Sequence, residues 1–405
     1  MDRRKLLTAG SGLAVSALVA GRARADSRTP PAAARIADAL GAPGTATVQY
    51  GPGWTHTRLT LHDGPVPLGV DVLAHTRHTP VGIAYLLPGG GLNFAADFFT
   101  PRAHNLAHRL CDERQLVIGI SPREDLARPA DLTAALGQAA HKADAAKVVR
   151  AVDRVLRLPY QLLGHSAGAV LALDLASTDR SPRLHRVVPL DTTGPYTGPE
   201  ALRAARMRDA LQAQLDNGVL YGDTGLTGLI ARALTDPDGP SPVPRPVDPA
   251  TRFTHAGLAH FALIRTSSLP GDTHWIYTQG YSAGSYTFAD TPADDRFSLT
   301  HTPLSTWGEA TSALGSGLVP HALLRDLAAI WAGDDTTYRL DWAGIRAPVV
   351  WVNMELGRGD EPHGAEAIRA GGNDDVTFRV VPGYAHADPV WSTTADRDVW
   401  PLLTP

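Results

Sequence analysis

Cysteine is almost missing: Cys111 is the only one in 405 residues, so no intramolecular disulfide can form. A lone thiol with no motif around it reads as a small buried apolar residue, not a nucleophile. Neither sign of charge is in excess. The formal net charge of -4 gives no reason to expect a nucleic-acid partner. Beyond residue 25 no stretch reaches about 18 uninterrupted apolar residues, so no stable membrane insertion is expected. There is no internal repeat, no H-E-x-x-H and no phosphate-cradling G-x-x-x-x-G-K-[ST] or G-x-G-x-x-G. The scattered Asp and His residues lack metal-site spacing, so neither metal nor cofactor is expected.

What remains, 43% hydrophobic and 19% charged, fits a soluble globular protein. The chain opens MDRRKLLTAGSGLAVSALVAGRARADS. A basic head (Arg3, Arg4, Lys5), a mild apolar stretch (Leu6 to Ala20) and Ala23-Arg24-Ala25 as cleavage site read as a signal peptide over residues 1–25. The paired arginines resemble a twin-arginine signal, which implies export of the folded protein to the periplasm or outside.

Residues 26–50, rich in Ala, Pro and Thr, read as a leader lying on the domain surface. Strands are then predicted at 54–76 (two, with a turn at Asp63-Gly64-Pro65), 81–87, 115–120, near 160–164, 184–191, 347–353 and 375–381. Helical spacing between them, clearest over 131–157, predicts an α/β fold with a mainly parallel sheet covered by helices on both faces. The rhythm fails at about 194. Residues 195–315 read as a helical and irregular lid between two core segments, 26–194 and 316–405. Within it the proline-rich 236–249 reads as a semi-rigid spacer. Trp275, Tyr277, Tyr281 and Tyr286 either line a pocket or pack the insertion's own core.

Gly164-His165-Ser166-Ala167-Gly168 sits between a predicted strand and a predicted helix. A serine hydroxyl is a weak nucleophile until a base removes its proton, and the base needs an acceptor behind it. Small residues at 164, 167 and 168 permit the tight turn that lifts Ser166. Of sixteen histidines, His386 follows the last predicted strand, where such a base belongs; His56, His75, His255, His260 and His274 read as ordinary loop or core residues. Gly89-Gly90-Gly91-Leu92 lets the backbone approach an oxyanion and supplies one N–H donor, and Ala167 supplies the other.

Together PGGGLN (88–93), GHSAG (164–168) and YAHADPVW (384–391) make the chain resemble the α/β-hydrolase superfamily over roughly residues 55–194 and 316–405. The last segment is similar to the His-x-Asp segment of acid-lipase-like and related esterases. The resemblance implies an α/β-hydrolase fold, Ser166 as nucleophile, His386 as base, Gly90 or Leu92 with Ala167 as oxyanion donors, and hydrolysis of a small-molecule ester or lactone of moderately apolar character. Amide or diketone cleavage, or a binding role without catalysis, are the other outcomes. For the acid three residues compete. Asp360 needs a long loop, which Gly357 and Gly359 allow; Glu355 lies close to the strand end; Asp191 ends the preceding strand, as in lipases of the pancreatic type. Asp388 reads as a loop-fixing carboxylate.

Overall fold

Short apolar runs become strands where both faces can be covered. In the computed structural model of the chain, which describes residues 30–42, 46–223, 225–271 and 273–404, the central runs of this kind join a nine-stranded sheet. The expected signal peptide lies outside the described residues. The strands are β1 (Ala46–Gly51), β2 (Trp54–Leu61), β3 (Leu68–His75), β4 (Gly82–Leu87), β5 (Gln115–Ser121), β6 (Tyr160–His165), β7 (Leu184–Leu190), β8 (Val349–Met354) and β9 (Val376–Val381). Their order is β1-β2-β3-β5-β4-β6-β7-β8-β9. The pairs from β1 through β3 to β5 are antiparallel. All the remaining pairs are parallel.

Alternating side chains of one strand feed two cores. Ile83, Tyr85 and Leu87 enter the core on one face, and Ala84 and Leu86 the core on the other. The helices Gln138–Leu156 and Ala167–Thr178 cover the first face. Leu106–Asp112 and the C-terminal turn Trp400–Leu403 cover the second. Because the strands from β4 to β9 are parallel, the loops leaving β4, β6, β7 and β9 open on the same edge, where such sheets build sites.

Within 26–50, the described residues 30–42 and 46–50 hold more structure than a surface leader. Pro31 starts the helix Pro31–Leu40, and Gly41 ends it at φ 71°. Ala33, Ile36, Ala37 and Leu40 recur at helical spacing and are buried in the first core. β1 then pairs along β2 as the sheet's edge.

The region 195–315 contains the helices Gly198–Asp216, Leu226–Thr235, His255–Ile264 and Leu304–Ser312, with short two-stranded ribbons. Here the spacer reading of 236–249 is corrected: Pro240–Pro244 pairs antiparallel with Arg252–Thr254. A two-stranded ribbon is all edge, so missing proline N–H groups are tolerated. Arg245 anchors it, its guanidinium 2.7 Å from Asp295 with both side chains buried.

Candidate active site

Ser166 joins β6 to the helix Ala167–Thr178 at φ 56°, ψ -118°. An L-residue held there is strained by about 1–3 kcal/mol, and the surrounding packing must hold it. That packing explains the flanking glycines. A Cβ on Gly164 would lie 1.9 Å from the carbonyl oxygen of Gly168, and one on Gly168 would lie 2.0 Å from that of Leu87. Ser166 N–H donates to Leu190 O at 2.9 Å, tying the elbow to the end of β7.

The residue after Leu190 is Asp191. It is fully buried, has a positive φ of 49°, and its Oδ2 accepts from His386 Nδ1 at 2.5 Å. Its Oδ1 accepts the N–H groups of Met354 (2.7 Å) and Arg358 (3.1 Å). Three donors converge on one buried carboxylate. A Cβ on Gly357 would lie 2.2 Å from Asp191 Oδ2. That glycine, read from sequence as slack for a long loop, clears space for Asp191. His386 itself is 4% exposed, and burial pushes its imidazole down to about 4 against the opposing pull of Asp191.

Glu355 and Asp360 do not meet His386. Glu355 is exposed and accepts from Gly383 N–H at 2.7 Å. Asp360 is exposed as well, and both line a surface hollow with Phe378, Val380 and Pro382. The loop after β8 curls back toward Asp191, turning their side chains outward. Asp388 behaves as a loop-fixing carboxylate, accepting from Ala283 N–H, Ala385 N–H and Thr302 Oγ1. Its burial raises its pKa to about 6.

The glycine-rich loop after β4 packs on the elbow: a Cβ on Gly89 would lie 3.3 Å from Ser166 Cβ, and one on Gly90 3.7 Å from Ala167 Cβ. Leu92 is corrected as an oxyanion donor, because its N–H closes a tight turn onto Gly89 O at 3.0 Å. Gly90 N–H makes no backbone bond. Ala167 N–H opens the helix, where first-turn donors have no partner within the helix.

Sequence reasoning passed over Asp97 and His165. Asp97 Oδ2 accepts Gly89 N–H at 2.8 Å, and its carboxylate lies 3.0 Å from His165 Nδ1. The other ring nitrogen, Nε2, lies 2.9 Å from His386 O. His165 is only the variable position of the elbow motif, and Asp97 sits in a plain helical turn. No local pattern marked either.

A cavity of about 110 Å³ opens over Ser166 and His386. It is lined by Gly89 to Leu92, His165 and Trp391 from the core segments and by Leu226, Tyr277, Tyr281, Trp307, Ala310 and Leu314 from the 195–315 region. The four sequence-flagged aromatics divide. Tyr277 and Tyr281 face the cavity, with the Tyr277 ring 4.9 Å from that of His386. Tyr286 packs on Phe253, Phe261 and Phe297, and Trp275 on Tyr196 under Arg203. Cys111 is buried, its thiol pushed up to about 12. No cluster of metal-binding side chains and no helix long and apolar enough to cross a membrane occurs among the described residues.

No family model and no curated protein sequence matches the chain. Among solved structures it is similar to a provisionally designated lipase from Sulfolobus solfataricus, with a TM-score of 0.60 and 16% identity over 89% of this chain and 97% of that one. More distant are an open-form lipase (TM-score 0.47, 15% identity, 85% and 95% covered) and a peroxisomal α/β-hydrolase of Saccharomyces cerevisiae (0.45, 11%, 85% and 83%). At these identities the likeness is one of fold. The chain has the α/β-hydrolase fold, a largely parallel sheet between helices with helical insertions.

Proposed function

We propose that this protein is a serine hydrolase that cleaves a carboxylic ester or lactone through an acyl-enzyme. Ser166 is the nucleophile, His386 the base and Asp191 the acid. The observation carrying the reading is the 2.5 Å contact of Asp191 with His386 beside a serine held at positive φ. His386 Nε2 takes the proton of Ser166 Oγ as that oxygen attacks the substrate carbonyl. Asp191 fixes the tautomer and stabilises the imidazolium that forms. The N–H groups of Gly90 and Ala167 hold the developing oxyanion. The C–O bond then breaks, His386 returns the proton to the leaving alkoxide, and water repeats the cycle on the acyl-enzyme.

The cavity supports a short acyl group. An apolar cavity of about 150 Å³ holds benzene, so about 110 Å³ suits roughly four carbons. Tyr277, Tyr281, Trp307 and Leu314 give it a moderately apolar wall. Amide or diketone cleavage would use the same groups, and a panel of butyryl ester, lactone, anilide and diketone separates them. Exposure to a fluorophosphonate followed by intact-mass and peptide analysis tests the central reading. One adduct on Ser166, absent from S166A, is expected; an unreactive Ser166 in folded protein leaves a non-catalytic binding role. For location we propose twin-arginine export guided by Arg3 and Arg4. In cells, an R3K/R4K double variant should accumulate uncleaved inside.

A further inference from the structure

The fully buried pair Asp97 and His165 lies outside the three residues that carry out the proposed reaction, yet it touches both of the loops they depend on. His165 Nε2 faces the carbonyl oxygen of His386 at 2.9 Å. A carbonyl can only accept, so Nε2 carries a proton. Nδ1 faces both oxygens of Asp97, at 3.0 and 3.2 Å. One of those oxygens already accepts Gly89 N–H, so the Asp97 side chain serves as an acceptor on both sides. Nδ1 must then donate as well.

From this geometry we propose that His165 is a permanent imidazolium, protonated on both nitrogens, and a positioning residue for the reaction. It ties the oxyanion loop, through Asp97 and Gly89 N–H, to the base loop, through the carbonyl of His386. The inference rests on the serine-hydrolase reading for its catalytic consequence, but not for the charge state itself.

The consequence is electrostatic as well as mechanical. The two imidazole rings are 4.9 Å apart, so a cation on His165 disfavours a second on His386. The other groups facing His386 are Asp191, Arg358, and the rings of Tyr277 and Tyr281, with Asp388 bracing its loop from below. Asp97, with a lesser pull from Asp191, raises the pKa of His165, opposing the effect of burial. A free base at moderately acid pH is what results.

The test uses two variants and one spectrum. In Asp97→Asn the amide can still accept from Gly89 and donate to His165 Nδ1, so the three hydrogen bonds survive while His165 becomes neutral. In His165→Gln the donor to His386 O survives and the cation does not; its spectrum also identifies the His165 signals. Ring-¹⁵N spectra of the wild-type protein at pH 7 should show protons on both His165 nitrogens. Both variants should lose about twofold in the rate of fluorophosphonate labelling at pH 5. The acid limb of their labelling profile should move up by on the order of one pH unit. A single ring proton on wild-type His165 overturns the proposal, as does an unmoved acid limb in a folded Asp97→Asn protein. Should wild-type Ser166 not label at all, the hydrolase reading fails while the spectrum still decides the charge of His165.

Discussion

Asp191 and His386 lie 195 positions apart in the chain, yet Oδ2 of one accepts from Nδ1 of the other at 2.5 Å. The contact exists because β7 and β9 flank β8 in a parallel sheet, so their exits share one edge. It singles out one carboxylate from three.

Asp191→Asn should leave the protein folded and lower kcat by about 10⁴-fold, because an amide in place of the carboxylate favours the wrong imidazole tautomer. Glu355→Ala and Asp360→Ala should stay within about twofold of wild type, as expected for side chains at an exposed hollow. Steady-state rates on a butyryl ester, with circular dichroism for folding, read all three. A collapse in Glu355→Ala with an active Asp191→Asn would reverse the assignment.

The pH dependence follows from burial of His386. Its folded pKa of about 4 lies below the ordinary 6.5, so the native state favours the neutral ring. The acid limb of kcat/KM should therefore have its midpoint near 4. The same shift bears on folding. This group's stabilising contribution is complete above 6.5 and is lost as pH falls through about 4. It amounts to on the order of 3 kcal/mol. Urea titrations at pH 7.5 and pH 4, compared between wild type and His386→Ala, measure it.

Gly357→Ala should act on the reaction without touching it. The new methyl would sit 2.2 Å from Asp191 Oδ2, so the carboxylate or the loop has to move. Displacement on this scale is expected to lower kcat by roughly 10²-fold. Thermal melting and kinetics on the same sample distinguish a misplaced acid from an unfolded protein.

Acyl length should respond to the cavity wall. Leu314→Ala enlarges the space over Ser166, and Ala310→Leu fills it. Across a series from acetyl to octanoyl esters, the preferred length should grow by about two carbons in the first and shrink in the second. An unchanged profile in both would mean that the acyl chain lies elsewhere.

The motifs legible in the sequence are those whose chemistry is local. Ser166 announces itself because Gly164 and Gly168 must be small within a few residues of it, and His386 because it follows the last strand of an alternating pattern. The positions of β2 to β9 were legible from apolar and alternating runs, whereas β1 and the order of the strands in the sheet were not. Nor was the acid, because its choice depends on which of two neighbouring loops turns inward, a tertiary decision made by packing at Gly357. Arg358 and the Asp97–His165 pair escaped for the same reason: their partners are tens to hundreds of residues away. The ribbon at Pro240–Pro244 was misread because proline content outweighed a buried anchor, Arg245, whose partner Asp295 lies 50 residues on.

Ser166, Asp191 and His386 leave the ends of β6, β7 and β9, whereas Leu226, Tyr277, Tyr281, Trp307, Ala310 and Leu314 all fall between residues 195 and 315. On the proposed reading, the reacting groups and most of the apolar cavity wall are thus encoded in separate stretches of one polypeptide. A lineage could redraft the second stretch and acquire a new diet while the first passed down unaltered. A transplanted 195–315 segment should accordingly change which esters are taken while sparing the labelling of Ser166 by a small phosphonylating reagent.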